Sequence, residues 1–234
     1  MVLLGTFINA VLIIVGSLIG RLFKGISENM KQTIMYAIGI AVIVMGIQMG
    51  LKSENFTMVI ICLVVGGGLG EWIDLEKRLN HLGHLIEKKF SSGKQSGSLA
   101  QGFVTGTLIF VIGAMGILGA INSGIQNDHD LLISKGIIDG FTAIILSATL
   151  GIGVVLSAVP VFVYQGIIAL LAIQITMLVP TATFDLFIQE MTATGGIMII
   201  AIGLNLIGLT KIRVANLLPS LLALAVCVWL ITMF

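Results

Sequence analysis

Long apolar runs separated by short polar breaks set the pattern of this chain. Residues 2–20, 33–51, 56–70, 99–121, 137–159, 161–179, 195–209 and 214–234 carry no charge, apart from Asp139 near one end of its run. A bilayer core roughly 30 Å thick takes about 20 residues of helix to cross, so these runs predict about eight spans. Lipid offers the backbone no hydrogen-bond partners, which restricts spans to helices or a closed barrel, and the runs lack the two-residue alternation of a barrel. The expected fold is therefore all-α, a polytopic membrane helix bundle forming one integral membrane domain over residues 1–234.

Composition agrees: 57% of the residues are apolar and 10% charged. Of the 12 Lys and Arg, all but Lys52 and Lys135 fall on one side if the amino terminus is outside. Cytoplasmic loops retain positive charge, so both termini are expected outside and the polar loop between the third and fourth runs inside. The first run opens without a basic region or a small-residue cleavage site and reads as a retained helix. A net charge of +1 gives no footprint for a nucleic-acid partner. Cys62 and Cys227 lie in apolar runs without neighbouring ligands and read as packing residues.

The polar interruption spans residues 71–98. Trp72, Leu75, Leu79, Leu82 and Ile86 recur at three- and four-residue spacing, which predicts a cytoplasmic amphipathic helix that lies on the membrane or pairs with a second copy. Its acids nearly cancel its bases, and residues 91–98 read as a flexible linker. His81, His84 and Glu87 share a face, and Asn127, Asp128, His129 and Asp130 form a cluster of hard ligands in a later loop. Solvated side chains account for both groups, so no metal or cofactor is expected.

Glycine, at 29 of 234 residues, is concentrated inside the runs. Small residues at helical spacing let helices pack closely in lipid, and glycine-rich helices also break, exposing backbone groups that can hold ions. Two weak internal echoes accompany the glycines. Gly39, Gly46 and Gln48 align with Gly196, Gly203 and Asn205 at a constant offset of 157 residues, relating the second and third spans to the seventh and eighth. Gly102, Phe103, Gly113 and Ala120 align likewise with Gly140, Phe141, Gly151 and Ala158. On the charge-based topology the paired spans run in opposite directions, which suggests an inverted repeat with interrupted helices, an architecture recurrent among secondary transporters.

Asp139 is the main chemical candidate, as the carboxylate of an otherwise apolar run flanked by Gly136 and Gly140. Ionisable groups at membrane depth are costly unless they face a cavity, a partner or an ion. The competing reading is a helix cap at headgroup level. Asn122 and Ser123 at the end of the preceding run, with Asn9 and Thr142, are expected to join Asp139 in a polar cavity. Gln48 and Asn205 add amides able to donate and accept toward a small solute or ion.

The stretches GAMGILGAINSG (113–124), GIIDGF (136–141) and ATLGIGVVLSAVP (148–160), with GTFINA (5–10) and VGSLIG (15–20), resemble the YdfK/YqgA-like bacterial membrane proteins, a family of unknown function. The resemblance covers essentially the whole chain and implies a multi-pass protein of the bacterial plasma membrane. It supplies no substrate and no residue roles.

No phosphate-binding loop, nucleophile triad or H-E-x-x-H pattern is present, which argues against ATP-driven transport by this chain and against an enzyme. A small-solute or ion transporter or channel is the leading expectation. A non-transporting scaffold, sensor or accessory subunit is the alternative. A homodimer is expected from the glycine faces and the amphipathic stripe.

Overall fold

The computed structural model describes residues 1–22, 28–81 and 98–233. Its helices are α1 (Leu4–Leu22), α2 (Glu28–Gly50), α3 (Phe56–Ile73), α4 (Ser98–Val111), α5 (Ala114–Gln126), α6 (Asp130–Leu150), α7 (Ala158–Leu170), α8 (Ala172–Leu178), α9 (Thr181–Leu206) and α10 (Pro219–Met233). Short 3-10 turns at Ile152–Ser157 and Val214–Leu217 lead into α7 and α10. Among the described residues there is no strand, and seven helical segments are long and apolar enough to cross a bilayer. The bent pair α4 and α5, at 64°, makes an eighth crossing if it is one broken span. The protein is an all-α polytopic bundle.

Three boundaries differ from the sequence-based expectation. The fifth span begins at Asp130 rather than at residue 137, which moves Lys135 from a loop into a helix. The seventh begins at Thr181 rather than at residue 195 and takes in Asp185 and Glu190. In both cases a charged residue ends an apolar run without ending the helix: Lys135 pairs with Asp139, Glu190 is hydrogen-bonded, and Asp185 is exposed. Thirdly, α3 stops at Ile73, where Asp74 adopts φ 55, so Trp72 and Leu75 do not share one continuous helical stripe. Leu82, His84, Ile86, Glu87 and most of the predicted linker lie outside the described residues.

The chain packs as two compact units. The first comprises Met1–Lys31, Leu79–Val111 and Met115–Met177. Here α1 runs parallel to α6 in very close contact: a Cβ on Gly16 would sit 2.1 Å from the Gly140 carbonyl oxygen, and one on Gly20 2.2 Å from that of Ile144. Only glycine permits that approach. Gly151, at φ 85, ends α6 within this unit, and Gly113, at φ 140, separates α4 from α5, each in a backbone region that side chains disfavour.

The second unit comprises Gln32–Arg78, Ile112–Ala114 and Leu178–Phe234. Within it α2 and α9 cross antiparallel, with Gly39 against Gly203 and Gly46 against Gly196. α3 also packs closely through its glycines, Gly66 meeting Ser220 of α10 and Gly70 the Asn216 backbone in the 3-10 turn before it. Glu190, fully buried on α9, accepts hydrogen bonds from Ser53 Oγ at 2.5 Å and from the amides of Glu54 and Asn55 at 2.9 Å each. That carboxylate fastens the α2–α3 turn to α9.

Candidate functional site

The first unit buries a polar cluster among its helices. Lys135 and Asp139 are one turn apart on α6, a spacing at which opposite charges meet, and the ammonium hydrogen-bonds the carboxylate. Both residues are buried, at 6% and 7% exposure, in the first half of a 21-residue helix, Asp139 near its middle. This placement excludes the helix-cap reading for Asp139. The first turn of α6 belongs to Asp130, and Asp139 lies about 14 Å further along the axis.

Lys135 also donates to the Phe110 carbonyl oxygen at 2.8 Å. Phe110 is in the last turn of α4, and the break at Gly113 deprives that turn of the amides that would continue the ladder. The ammonium thus caps the negative end of a broken helix while neutralising a carboxylate. Gly116 on α5 lies beside it: a Cβ there would sit 3.4 Å from Lys135 Cε and 3.5 Å from Gln165 Nε2, ordinary contact distances.

Asn9 of α1 packs against Gly136, three positions before Asp139 on α6, and its side-chain amide interacts with the carboxylate. Asn9 Nδ2 also donates to Gln165 Oε1 of α7 at 3.1 Å, and both residues are fully buried. Asn9 Oδ1 and Gln165 Nε2 have no hydrogen-bond partner among the described residues, nor has Thr6 Oγ1 one turn earlier on α1. Buried polar atoms without partners are uncommon, because each forfeits hydration without compensation. The cluster therefore holds one ion pair, one helix-end carbonyl and two amides with spare bonding capacity.

Of the residues singled out from sequence, Asn9 and Asp139 come together. Asn122 and Ser123 do not join them: Ser123 Oγ donates to the Val2 carbonyl at 2.8 Å and pairs with His129 Nδ1 at 2.6 Å, before the start of α6. His129 and Asp139 are ten positions apart, about 15 Å of helix. Asn122 is on the same terminal turn of α5 as Ser123. The Thr142 hydroxyl is engaged with the Ile138 carbonyl of its own helix at 2.9 Å. Gln48 and Asn205 belong to the second unit. Gln48 is exposed, and Asn205 clamps the turn after α9, exchanging hydrogen bonds with Ile212 and accepting from Thr210 Oγ1.

Sequence reasoning missed Lys135, which it assigned to an outside loop, and Phe110, whose carbonyl matters only because its helix breaks. Gln165, a neutral amide inside an apolar run, is not distinguished by the sequence pattern. The four-residue spacing of Lys135 and Asp139 was a readable signal, since that interval carries ion pairs on one helix face.

A family model described as "Protein of unknown function (DUF554)" matches residues 4–229, which include every residue of this cluster. The chain belongs to that family. It is 38% identical over 235 residues to the uncharacterized membrane protein YdfK of Bacillus subtilis, covering 98% of this chain and 97% of that one. It is 29% identical over 223 residues to the uncharacterized protein YqgA of Escherichia coli, covering 94% of this chain and 93% of that one. No solved structure matches the chain.

Proposed function

We propose that this DUF554 protein moves a small solute or ion across the bacterial plasma membrane without hydrolysing ATP, using the Lys135–Asp139 cluster as its binding site. The observation that carries the proposal is a buried ion pair within a 21-residue helix, seated on the open end of a broken helix beside two amides with unused bonding atoms. Ionisable groups inside spans are expensive to keep and mark ion or solute pathways in membrane proteins. Discontinuous helices, whose freed backbone groups face the bound species, are the recurrent way such pathways are lined.

The pattern of breaks and contacts supports an inverted-repeat architecture. Gly113 and Gly151, aligned by the sequence echo, are both break points with positive φ. In the second unit the contacts of Gly39 with Gly203 and of Gly46 with Gly196 exchange with each other under the 157-residue offset, as an internal two-fold relation requires. The parallel course of α1 and α6 and the antiparallel course of α2 and α9 fit the eight-span order. Moving Lys135 into a helix leaves Lys52 as the one basic residue expected outside, which strengthens the assignment of both termini to the outer face.

A second reading, a non-transporting scaffold, draws on the close glycine packing and on the pairing of Lys135 with Asp139 and of Asn9 with Gln165. Purified protein in proteoliposomes distinguishes the two. Transport predicts current or dye-reported flux for at least one of a panel of inorganic ions and small polar solutes, lost in Asp139→Asn. Flux equal to that of empty vesicles across the panel would favour the scaffold.

A further inference from the structure

We infer that the Lys135 ammonium occupies a binding site for a small monovalent metal cation, formed by the Asp139 carboxylate, the Phe110 carbonyl and the Asn9 amide oxygen. The inference rests on the transport reading for its purpose, and on the geometry of the cluster for its chemistry.

Three features identify the ligand class. Apart from the lysine, the groups facing this point supply negative charge: a full carboxylate, and a helix-end carbonyl carrying part of the charge of the α4 dipole. Hard oxygen donors of this kind select alkali or alkaline-earth cations rather than anions or soft metals. The single charge already held there, an ammonium, matches one carboxylate, so a monovalent ion leaves the site as neutral as the lysine does.

The unpartnered amide atoms supply the third ligand. As placed, Asn9 Nδ2 donates to Gln165 Oε1 while Asn9 Oδ1 and Gln165 Nε2 have no partner among the described residues. Turned the other way, the two amides keep one hydrogen bond, donated by Gln165 Nε2 to Asn9 Oδ1, and the Asn9 oxygen then faces the Asp139 carboxylate. The turn gives these two atoms a bond and leaves Asn9 Nδ2 and Gln165 Oε1 without one, so the pair's own hydrogen bonding favours neither orientation and the group at the carboxylate decides between them. With a donor at Asn9 the cluster suits the ammonium in place, and with an acceptor there it suits a metal ion. Gly116 borders the lysine stem without a side chain of its own, a Cβ there lying 3.4 Å from Lys135 Cε and 3.5 Å from Gln165 Nε2.

The test is cation rescue of stability in detergent, with thermal unfolding followed at constant ionic strength in sodium, potassium or choline chloride. Lys135→Met removes the internal cation and leaves Asp139 buried without its partner, so the variant is expected to melt lower in choline. Sodium or potassium is then expected to raise its melting temperature by at least about 4 °C relative to choline. Lys135→Met with Asp139→Asn is expected to lose that difference, and Lys135→Met with Asn9→Leu to need at least tenfold more salt for it. Equal melting in all three salts would overturn the inference. If Lys135→Met fails to fold, Lys135→Gln, which retains a donor for the Phe110 carbonyl, takes its place with the same expectation. Binding of radioactive sodium or rubidium to the unmodified protein is expected to be weaker than to the variant, and tighter binding to the unmodified protein would likewise count against competition by Lys135. Rescue without flux in vesicles would sink the transport reading and leave the cation site standing; flux of a neutral solute without rescue would do the reverse.

Discussion

Replacing Glu190 separates hydrogen bonding from charge at the best-defined buried carboxylate of the second unit. It is fully buried and accepts three hydrogen bonds, two amides on Oε1 and the Ser53 hydroxyl on Oε2. Glu190→Ala deletes all three and opens a void. Hydrogen bonds to an ionised acceptor contribute about 1.5–3 kcal/mol each, but these donors are part-buried and water can reach some of them, so the expected cost is about 3–5 kcal/mol rather than the full sum. Glu190→Gln behaves differently. Its Oε1 can keep both amides while its Nε2 donates to the Ser53 hydroxyl, so the expected cost is about 1 kcal/mol or less. For a chain of this size the alanine variant should melt roughly 6–20 °C lower and the glutamine variant within about 4 °C of the parent. Thermal scanning of detergent-purified protein measures both, and limited proteolysis at residues 51–55 reports whether the turn has detached. If glutamine destabilises as much as alanine, the negative charge itself is required and the hydrogen-bond account is wrong.

Gly16→Ala is expected to destabilise the first unit by about 1–3 kcal/mol, since its Cβ meets a carbonyl oxygen at 2.1 Å, whereas Gly68→Ala, with nothing within 4 Å, should be nearly neutral; paired melting curves check this. Glu76 is held above the usual glutamate range chiefly by burial, so its contribution to stability is greatest in acid and is lost as pH rises through that raised value. A melting-temperature profile across that interval should flatten in Glu76→Gln. Asp139→Asn should abolish flux in vesicles while the protein still folds, and retention of flux would remove Asp139 from the pathway. The chain is expected to purify as a symmetric homodimer, and a monomeric mass in mild detergent by light scattering would refute that.

Hydropathy alone determined that this chain crosses a membrane several times as helices, because the cost of an unpaired backbone in lipid leaves no other structure for long uncharged runs. The glycines were legible as well: Gly113 and Gly151 stood in an internal echo of the sequence, and both prove to be helix breaks. Asp139 announced itself by its cost. What the sequence could not decide was partnership. Uncharged stretches mark where a helix is free of charge, not where it begins, so Lys135 and Glu190 fell outside the predicted spans although their charges are satisfied inside the bundle. Which polar side chains meet depends on helices distant in sequence. Asn9 reached Asp139 through the close packing of α1 on α6, whereas Ser123 turned to His129 and Val2. The Phe110 carbonyl carries no sequence signal at all, since every residue has one, and only the break at Gly113 leaves it open to Lys135.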